Sequence, residues 1–144
     1  MRLRLEAAWV IGLAAAAAPL AAQGPEPPLP PVTLLYQNFP NPFPALGRDA
    51  TCLSFDLAVE SQVELIVLDL RGGPVRHFVP GPSFGSFLNA GRYGRMDGGG
   101  CDPRLMWDGR TDDGRVVPAG VYLYKLRAGG VLQFRRMVFS GRPS

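Results

Sequence analysis

Histidine, cysteine and lysine are scarce in this chain of 144 residues, which has one histidine, two cysteines and one lysine. The single histidine, His77, excludes mechanisms that need a histidine pair and excludes a histidine-rich metal site. Charged residues make up only 19% and hydrophobic residues 47%, which excludes a polar disordered chain. The net charge is +3 and the only basic cluster is Arg135–Arg136, so we expect no nucleic-acid partner.

The sequence also lacks the patterns that indicate catalysis or cofactor binding. No glycine-rich segment precedes a helical pattern, so nothing indicates a phosphate site. Asp108, Asp112 and Asp113 lie near Gly114, but the alternating oxygen ligands and distal glutamate of a calcium loop are missing, which favours a polar hairpin turn. His77 has no assignable nucleophile beside it and is interpreted as a surface or edge residue. We therefore expect a non-catalytic protein with no cofactor and no metal.

The N-terminus has the features of a signal peptide. Two arginines precede an apolar stretch at 9–18, and small residues lie between Pro19 and Ala22. Because the apolar stretch is too short for a transmembrane helix, we predict a signal peptide at 1–22, cleaved after Ala22. We then expect export through the inner membrane to the periplasm, the cell surface or the medium, with no stable membrane span after cleavage. The oligomeric state is left open.

A proline-rich linker and a series of strands follow. Residues 23–33 are dense in proline, which fixes φ and removes backbone donors, so an extended spacer is predicted. Over 34–140 apolar residues recur with a period of two between glycine and proline turns. This pattern predicts an all-β antiparallel sandwich of about seven strands, with a tail at 141–144. The glycine-rich residues 80–103 are interpreted as a long mobile loop with at most one short strand.

Individual strands can be predicted from the alternation. Residues 51–57 read as one half-buried strand with Cys52, Ser54 and Asp56 on its polar face. A glycine pair at 129–130 predicts a hairpin between the last two strands. Further strands are predicted at 63–68, 74–79, 121–126 and 131–139.

The outward rows of two of these strands are also apolar. Ile66 and Leu68 oppose the inward row of their strand, as Val121 and Leu123 oppose theirs. If these residues are uncovered, they form an apolar patch of the kind that marks a binding site for a partner protein. The alternative is that a second sheet or the segment 80–103 covers them.

Cys52 and Cys101 would meet an oxidising compartment after export, where the cysteines of a small domain often pair. Two cysteines alone are not a specific pattern. A disulfide and two unpaired thiols are therefore equal alternatives at this point.

Five segments carry distinctive strings, at 36–43 (YQNFPNPF), 51–57, 63–72, 107–122 and 136–139. In this order they resemble the strings YQNxPNPF, TxIxFxL, VxLxVYDxxG, WDGxxxxGxxxxxGxY and KMVL. These strings are typical of the C-terminal sorting domains of the type IX secretion system, which are similar to the immunoglobulin-like domain of the flagellar hook-capping protein. The motif residues here are Gln37, Asn38, Pro40, Asn41, Pro42, Phe43, Trp107, Asp108, Gly109, Gly114, Gly120 and Tyr122.

The motif residues have straightforward structural interpretations. Pro40 and Pro42 are expected to hold the entry segment, residues 36–43, as an extended edge strand. Asn38 and Asn41 are expected to cap turns, and Trp107 to anchor the core.

The resemblance implies an immunoglobulin-like fold and a role as an export address in the cell envelope. The terminal strand is then the segment read by an envelope or secretion-machinery protein; its residues are Arg136, Met137, Val138 and Phe139. One alternative is an accessory binding domain or small enzyme with a site in residues 80–103. This alternative is favoured if His77, Asp97 and Asp102 meet in one pocket. Another is a hook-cap-like assembly module.

Overall fold

The structure is a computed structural model that describes residues 4, 7–21 and 24–142. Residues 7–21 contain no helix or strand and are exposed to solvent. Within the described ranges, no helix is long and apolar enough to cross a membrane. The predicted cleavage site after Ala22 and the end of the predicted tail, residues 143–144, lie outside the described residues.

The described chain forms strands and one 3₁₀ turn, so the predicted all-β class is confirmed. The strand count of about seven was too low, because several additional strands are only two or three residues long and leave little periodicity in the sequence. The elements are β1 Leu34–Leu35, β2 Thr51–Cys52, β3 Phe55–Leu57, β4 Ser61–Leu68, β5 Pro74–Val79, β6 Phe87–Leu88, β7 Gly91–Tyr93, the 3₁₀ turn Pro103–Leu105, β8 Met106–Trp107, β9 Gly120–Ala128 and β10 Val131–Phe139.

The strands pair into several antiparallel sheets in a sandwich-like arrangement. The largest sheet has the order β10-β9-β4-β5, with β6 also paired to β4. The smaller sheets have the orders β1-β3-β7 and β2-β8. Strand β9 pairs with β10 from Ala128 opposite Val131 to Gly120 opposite Phe139, which confirms the predicted glycine hairpin.

One hydrophobic core joins the inward rows of these sheets. The inward row of β4 includes Leu65 and Val67, and that of β9 includes Tyr124 and Leu126; all four are fully buried. Removing this apolar surface from water is the main force that holds the sheets together. The largest fully buried side chains are Trp107, Tyr124, Phe43, Phe55 and Phe139.

Residues 51–57 do not form the single half-buried strand that the alternation predicts. The first two residues form β2 and pair with β8, whereas the last three form β3 and pair with β1 and β7. Because the chain changes sheets here, Ser54 and Asp56, which were expected on a polar face, are buried. The Asp56 carboxylate accepts a hydrogen bond of 2.6 Å from the Tyr36 hydroxyl.

The interpretation of residues 80–103 as a loop with at most one strand was also wrong. This segment holds β6 and β7, and β7 extends the small sheet beside β3. The linker ends against the same segment, because Arg92 donates a 2.8 Å hydrogen bond to the Pro28 carbonyl and Pro30 is buried. The last part of the linker is therefore packed against the domain.

Cys52 and Cys101 form a disulfide; their Cα atoms are 5.8 Å apart, and the two residues are separated by 49 positions in the chain. The bond joins β2 to the end of the glycine-rich segment, just before the 3₁₀ turn. A backbone bridge between Arg95 and Cys101 lies beside it. The segment 80–103 is thus attached to the sandwich at both ends.

Replacing both cysteines, Cys52→Ser with Cys101→Ser, is expected to lower the free energy of unfolding by about 4 kcal/mol. The reason is that opening a loop of 49 residues returns conformational entropy to the unfolded chain. Urea denaturation measures the loss. A reductant should weaken the wild type by a similar amount and leave the double variant unchanged; equal stability of the two proteins would contradict the expectation.

Candidate functional site

The entry segment lies along the outer edge of β10, the terminal strand. The Asn41 side-chain oxygen accepts the Val138 N–H at 2.9 Å, and the Phe43 N–H donates to the Val138 carbonyl at 3.0 Å. The Gln37 amide donates to the Arg136 carbonyl at 2.8 Å. The edge groups of β10 near its end are therefore bound within the domain.

This entry segment is not the edge strand predicted from its prolines. It makes only single bridges, Phe39 with Cys52 and Phe43 with Phe139, because proline has no N–H to donate to a continuous ladder. The expectation that Asn41 caps a turn was wrong, since its side chain bonds across to β10.

Asn38 and Tyr124 fix the entry segment from the core side. The Tyr124 hydroxyl accepts the Asn38 N–H at 2.8 Å and donates to the Tyr36 carbonyl at 2.7 Å. Burial raises the pKa of this hydroxyl, and the Asn38 bond opposes the rise only in part, so Tyr124 stays a neutral donor. The Asn38 amide donates to the Thr51 hydroxyl at 2.8 Å and to the Pro40 carbonyl at 3.3 Å.

Four aromatic rings from distant motif segments pack together, and one of them, Phe43, belongs to the entry segment. The Phe43 ring lies 5.4 Å from Trp107 and 5.1 Å from Phe139, and Tyr122 lies 5.3 Å from Trp107, measured between centroids. Trp107 is fully buried, as expected of a core anchor, and its indole N–H donates to the Arg110 carbonyl at 2.9 Å. The terminal strand is therefore attached to the core through Phe139.

The turn after Trp107 is shaped to receive the same ring. Gly109 has φ +80°, and a Cβ at this position would lie 2.5 Å from the Phe139 ring. Asp108 is held to the end of the chain, because Arg142 donates to its carbonyl at 3.1 Å. Gly114 also has positive φ, +84°, but it lies in an open turn. Gly120 begins β9.

The outer face of β10 is exposed and apolar. Leu132, Phe134 and Val138 are 48%, 50% and 36% exposed, and Arg136 lies in the same row. We call these four residues the outer row. This row was not predicted, although the alternation of apolar Leu132 and Phe134 with polar Gln133 and Arg135 is the signal that could have found it.

The apolar rows that the sequence analysis placed on the outer face are less exposed. Ile66 and Leu68 are buried, and Val121 and Leu123 are half-buried. The residue opposite Ile66 on β9 is Lys125, whose ammonium lies 2.5 Å from the Glu64 carboxylate. The accessible part of this face is therefore concentrated on β10.

A cavity of about 500 Å³ opens on the other side of the entry segment, next to the disulfide. Aromatic rings, guanidinium groups and small polar groups line it. The lining residues are Tyr36, Gln37, Phe39, Arg48, Cys52, Ser54, Arg95, Gly100 and Cys101.

A site in residues 80–103 would be favoured if His77, Asp97 and Asp102 met in one pocket, but each of the three has different neighbours. His77 lies half-exposed on β5, with its Nδ1 2.6 Å from the Asp112 carboxylate. Burial raises the pKa of Asp112, but the hydrogen bonds from His77 outweigh it, so the pKa lies below its usual value. Asp102 binds Arg104 at 2.7 Å, and Asp97 lines a separate cavity against the linker.

The aspartates at positions 108, 112 and 113 each pair with a different basic residue. Asp108 pairs with Arg110 at 3.4 Å and Asp113 with Arg115 at 3.1 Å. Over the described ranges, no three histidine, cysteine, aspartate or glutamate side chains are grouped to hold a metal ion.

The chain matches no protein-family model and no curated protein.

Gly109→Ala is expected to destabilise the domain by about 3 kcal/mol, because the new methyl group overlaps the buried Phe139 ring in addition to straining the backbone. Gly114→Ala is the matched control. It has nearly the same positive φ and no atom within 4 Å of the new carbon, so only about 1 kcal/mol is expected. Urea denaturation measures both, and equal losses would show that the fit against Phe139 contributes nothing.

Proposed function

We propose that this protein is a non-catalytic, exported envelope domain whose terminal strand is presented to an envelope or secretion-machinery protein. The observation that carries the proposal is the convergence of the motif segments on β10. The entry segment binds its edge, and Trp107 and Gly109 pack against Phe139 near its end. A strand held so firmly by separate parts of the chain is a rigid structure for a partner to recognise.

The mode of recognition follows from which parts of the strand are accessible. The backbone groups of Val138 and the carbonyl of Arg136 are bound by the entry segment, so a partner strand cannot pair there. Met137 and Phe139 are buried in the core. The partner is therefore proposed to bind the outer row, where exposed apolar side chains flank Arg136.

The proposed architecture is an immunoglobulin-like sandwich of the kind found in type IX sorting domains. It is supported by the sandwich-like antiparallel sheets and by a hydrogen bond of 2.6 Å from the Tyr122 hydroxyl to the Pro118 carbonyl, four residues upstream. A tyrosine that bonds back to upstream backbone near the start of a late strand is typical of such sandwiches.

Export itself rests on the sequence of residues 1–22, and the disulfide is compatible with an oxidising compartment. In a bacterial host we expect a mature chain that begins at Gln23, which intact-mass measurement would detect. Ala22→Phe places a bulky residue at the cleavage point and should leave the precursor uncleaved. Ala15→Leu, within the apolar stretch, should be processed normally. A full-length wild-type mass would contradict the signal-peptide assignment.

The export role is tested by fusing a reporter between the signal peptide and residues 23–144, which keep the packed linker, in a bacterium with type IX secretion. The outer-row variant Leu132→Thr/Phe134→Thr/Val138→Thr keeps residues suited to strands and should reduce surface display to that of the reporter alone. The control Val59→Thr/Leu70→Thr/Val116→Thr changes three exposed apolar residues outside the row and should preserve display.

Thermal unfolding of both fusions establishes that the domains are folded. Equal display of the two variants would end the proposal that the outer row is an export address. A standalone envelope interaction domain would then be the better account.

A further inference from the structure

The cavity beside the disulfide has an unusual combination of charge and apolar surface. Its volume of about 500 Å³ is typical of sites for small organic molecules. Among the described lining residues there are two arginines and no carboxylate. The cavity therefore favours an anionic group.

The two arginines differ in how far their charges are balanced. The Arg95 guanidinium stacks over the Tyr36 ring at 3.9 Å. Its Nη2 lies 3.8 Å from the carboxylate of Asp56, a buried residue that does not line the cavity. Arg48 lies 5.8 Å from the Phe39 ring and has no ion pair within the described part of the chain. The charge of Arg48 is thus available to a ligand.

The lining of the cavity also includes an exposed apolar ring, that of Phe39. The Phe39 side chain is 57% exposed, although its backbone is bound to Cys52 in both directions, at 3.3 and 2.8 Å. β2 and the disulfide therefore fix the backbone position from which this ring projects. A ligand with a flat apolar body would cover it and gain hydrophobic and stacking energy.

We propose that this cavity binds an aromatic carboxylate, with the anionic group between Arg48 and Arg95 and the ring against Phe39. Arginine suits the role because its planar guanidinium binds carboxylates in a bidentate manner. The ligand is either a free aromatic acid or the C-terminal aromatic residue of a peptide. The inference is independent of the export role, since the cavity does not include the outer row.

The test is an NMR titration of the isotope-labelled full chain with N-acetyl-L-phenylalanine as the probe. Saturable shifts are expected at the backbone amides of Gln37, Arg95 and Gly100, which line the cavity. The uncharged N-acetyl-L-phenylalaninamide should bind about tenfold more weakly, because it lacks the charge-assisted bonds. Equal binding of the acid and the amide, or no shifts up to the solubility limit, would overturn the proposal.

Variants separate the cavity from nonspecific attraction to a basic protein. Arg48→Gln and Arg95→Gln should each weaken the probe by about tenfold, whereas Arg115→Gln, an exposed arginine outside the cavity, should not. Since Arg95 also approaches Asp56, Arg48→Gln carries the test if Arg95→Gln unfolds. Equal weakening by Arg115→Gln would overturn the proposal.

The tripeptide glycyl-glycyl-phenylalanine distinguishes the two sources of the ligand. Tighter binding than the single amino acid derivative assigns the cavity to a peptide terminus, because residues before the carboxylate then add contacts. Equal or weaker binding assigns it to a free aromatic acid. Both results presuppose the carboxylate preference that the amide probe measures.

Discussion

The edge of the terminal strand is the constraint on which the rest of the domain depends. An unpaired edge exposes backbone donors and acceptors and invites other chains to pair with it. Here the entry segment occupies it, although its prolines cannot supply a ladder of N–H groups. Instead of a ladder, the Asn41 side-chain oxygen accepts the N–H of Val138, and the N–H of Phe43 donates to the Val138 carbonyl. This arrangement brings Phe43 over Trp107 and Phe139 and so couples edge protection to core packing.

The entry segment also lies between the two surfaces for which binding is proposed. On one side it closes the edge of β10 near its end, while the outer row stays exposed. On the other side its Tyr36 and Phe39 rings form a wall of the cavity beside the disulfide. The buried hydroxyl of Tyr124 holds the segment between them through Asn38 and Tyr36. A rigid scaffold with side chains presented on two faces is suited to recognition, since little conformational entropy is lost on binding.

The predictable part of the fold is the part that depends on local sequence. Strands β4, β5, β9 and β10 alternate over six to nine residues, and their positions follow closely from that period. The two-residue strands leave no such signal, so residues 51–57 were read as one strand and β6 and β7 were missed. Among the site residues, the sequence did not predict whether Cys52 and Cys101 pair, because the positions of two cysteines in a chain do not show how close they lie in the fold.

The amino-acid pattern alone predicts an all-β chain, its longest strands and the Gly129–Gly130 hairpin, because side-chain alternation and turn chemistry act between near neighbours. The contacts of the motif residues, by contrast, follow from the packing of distant segments. Asn41 meets Val138 across 97 positions, and Gly109 lies against Phe139 from a separate segment. The cavity likewise requires the entry segment and residues 95–101 to be brought together by β2 and the disulfide. Such contacts depend on how the sheets pack, which the spacing of residues along the chain does not specify.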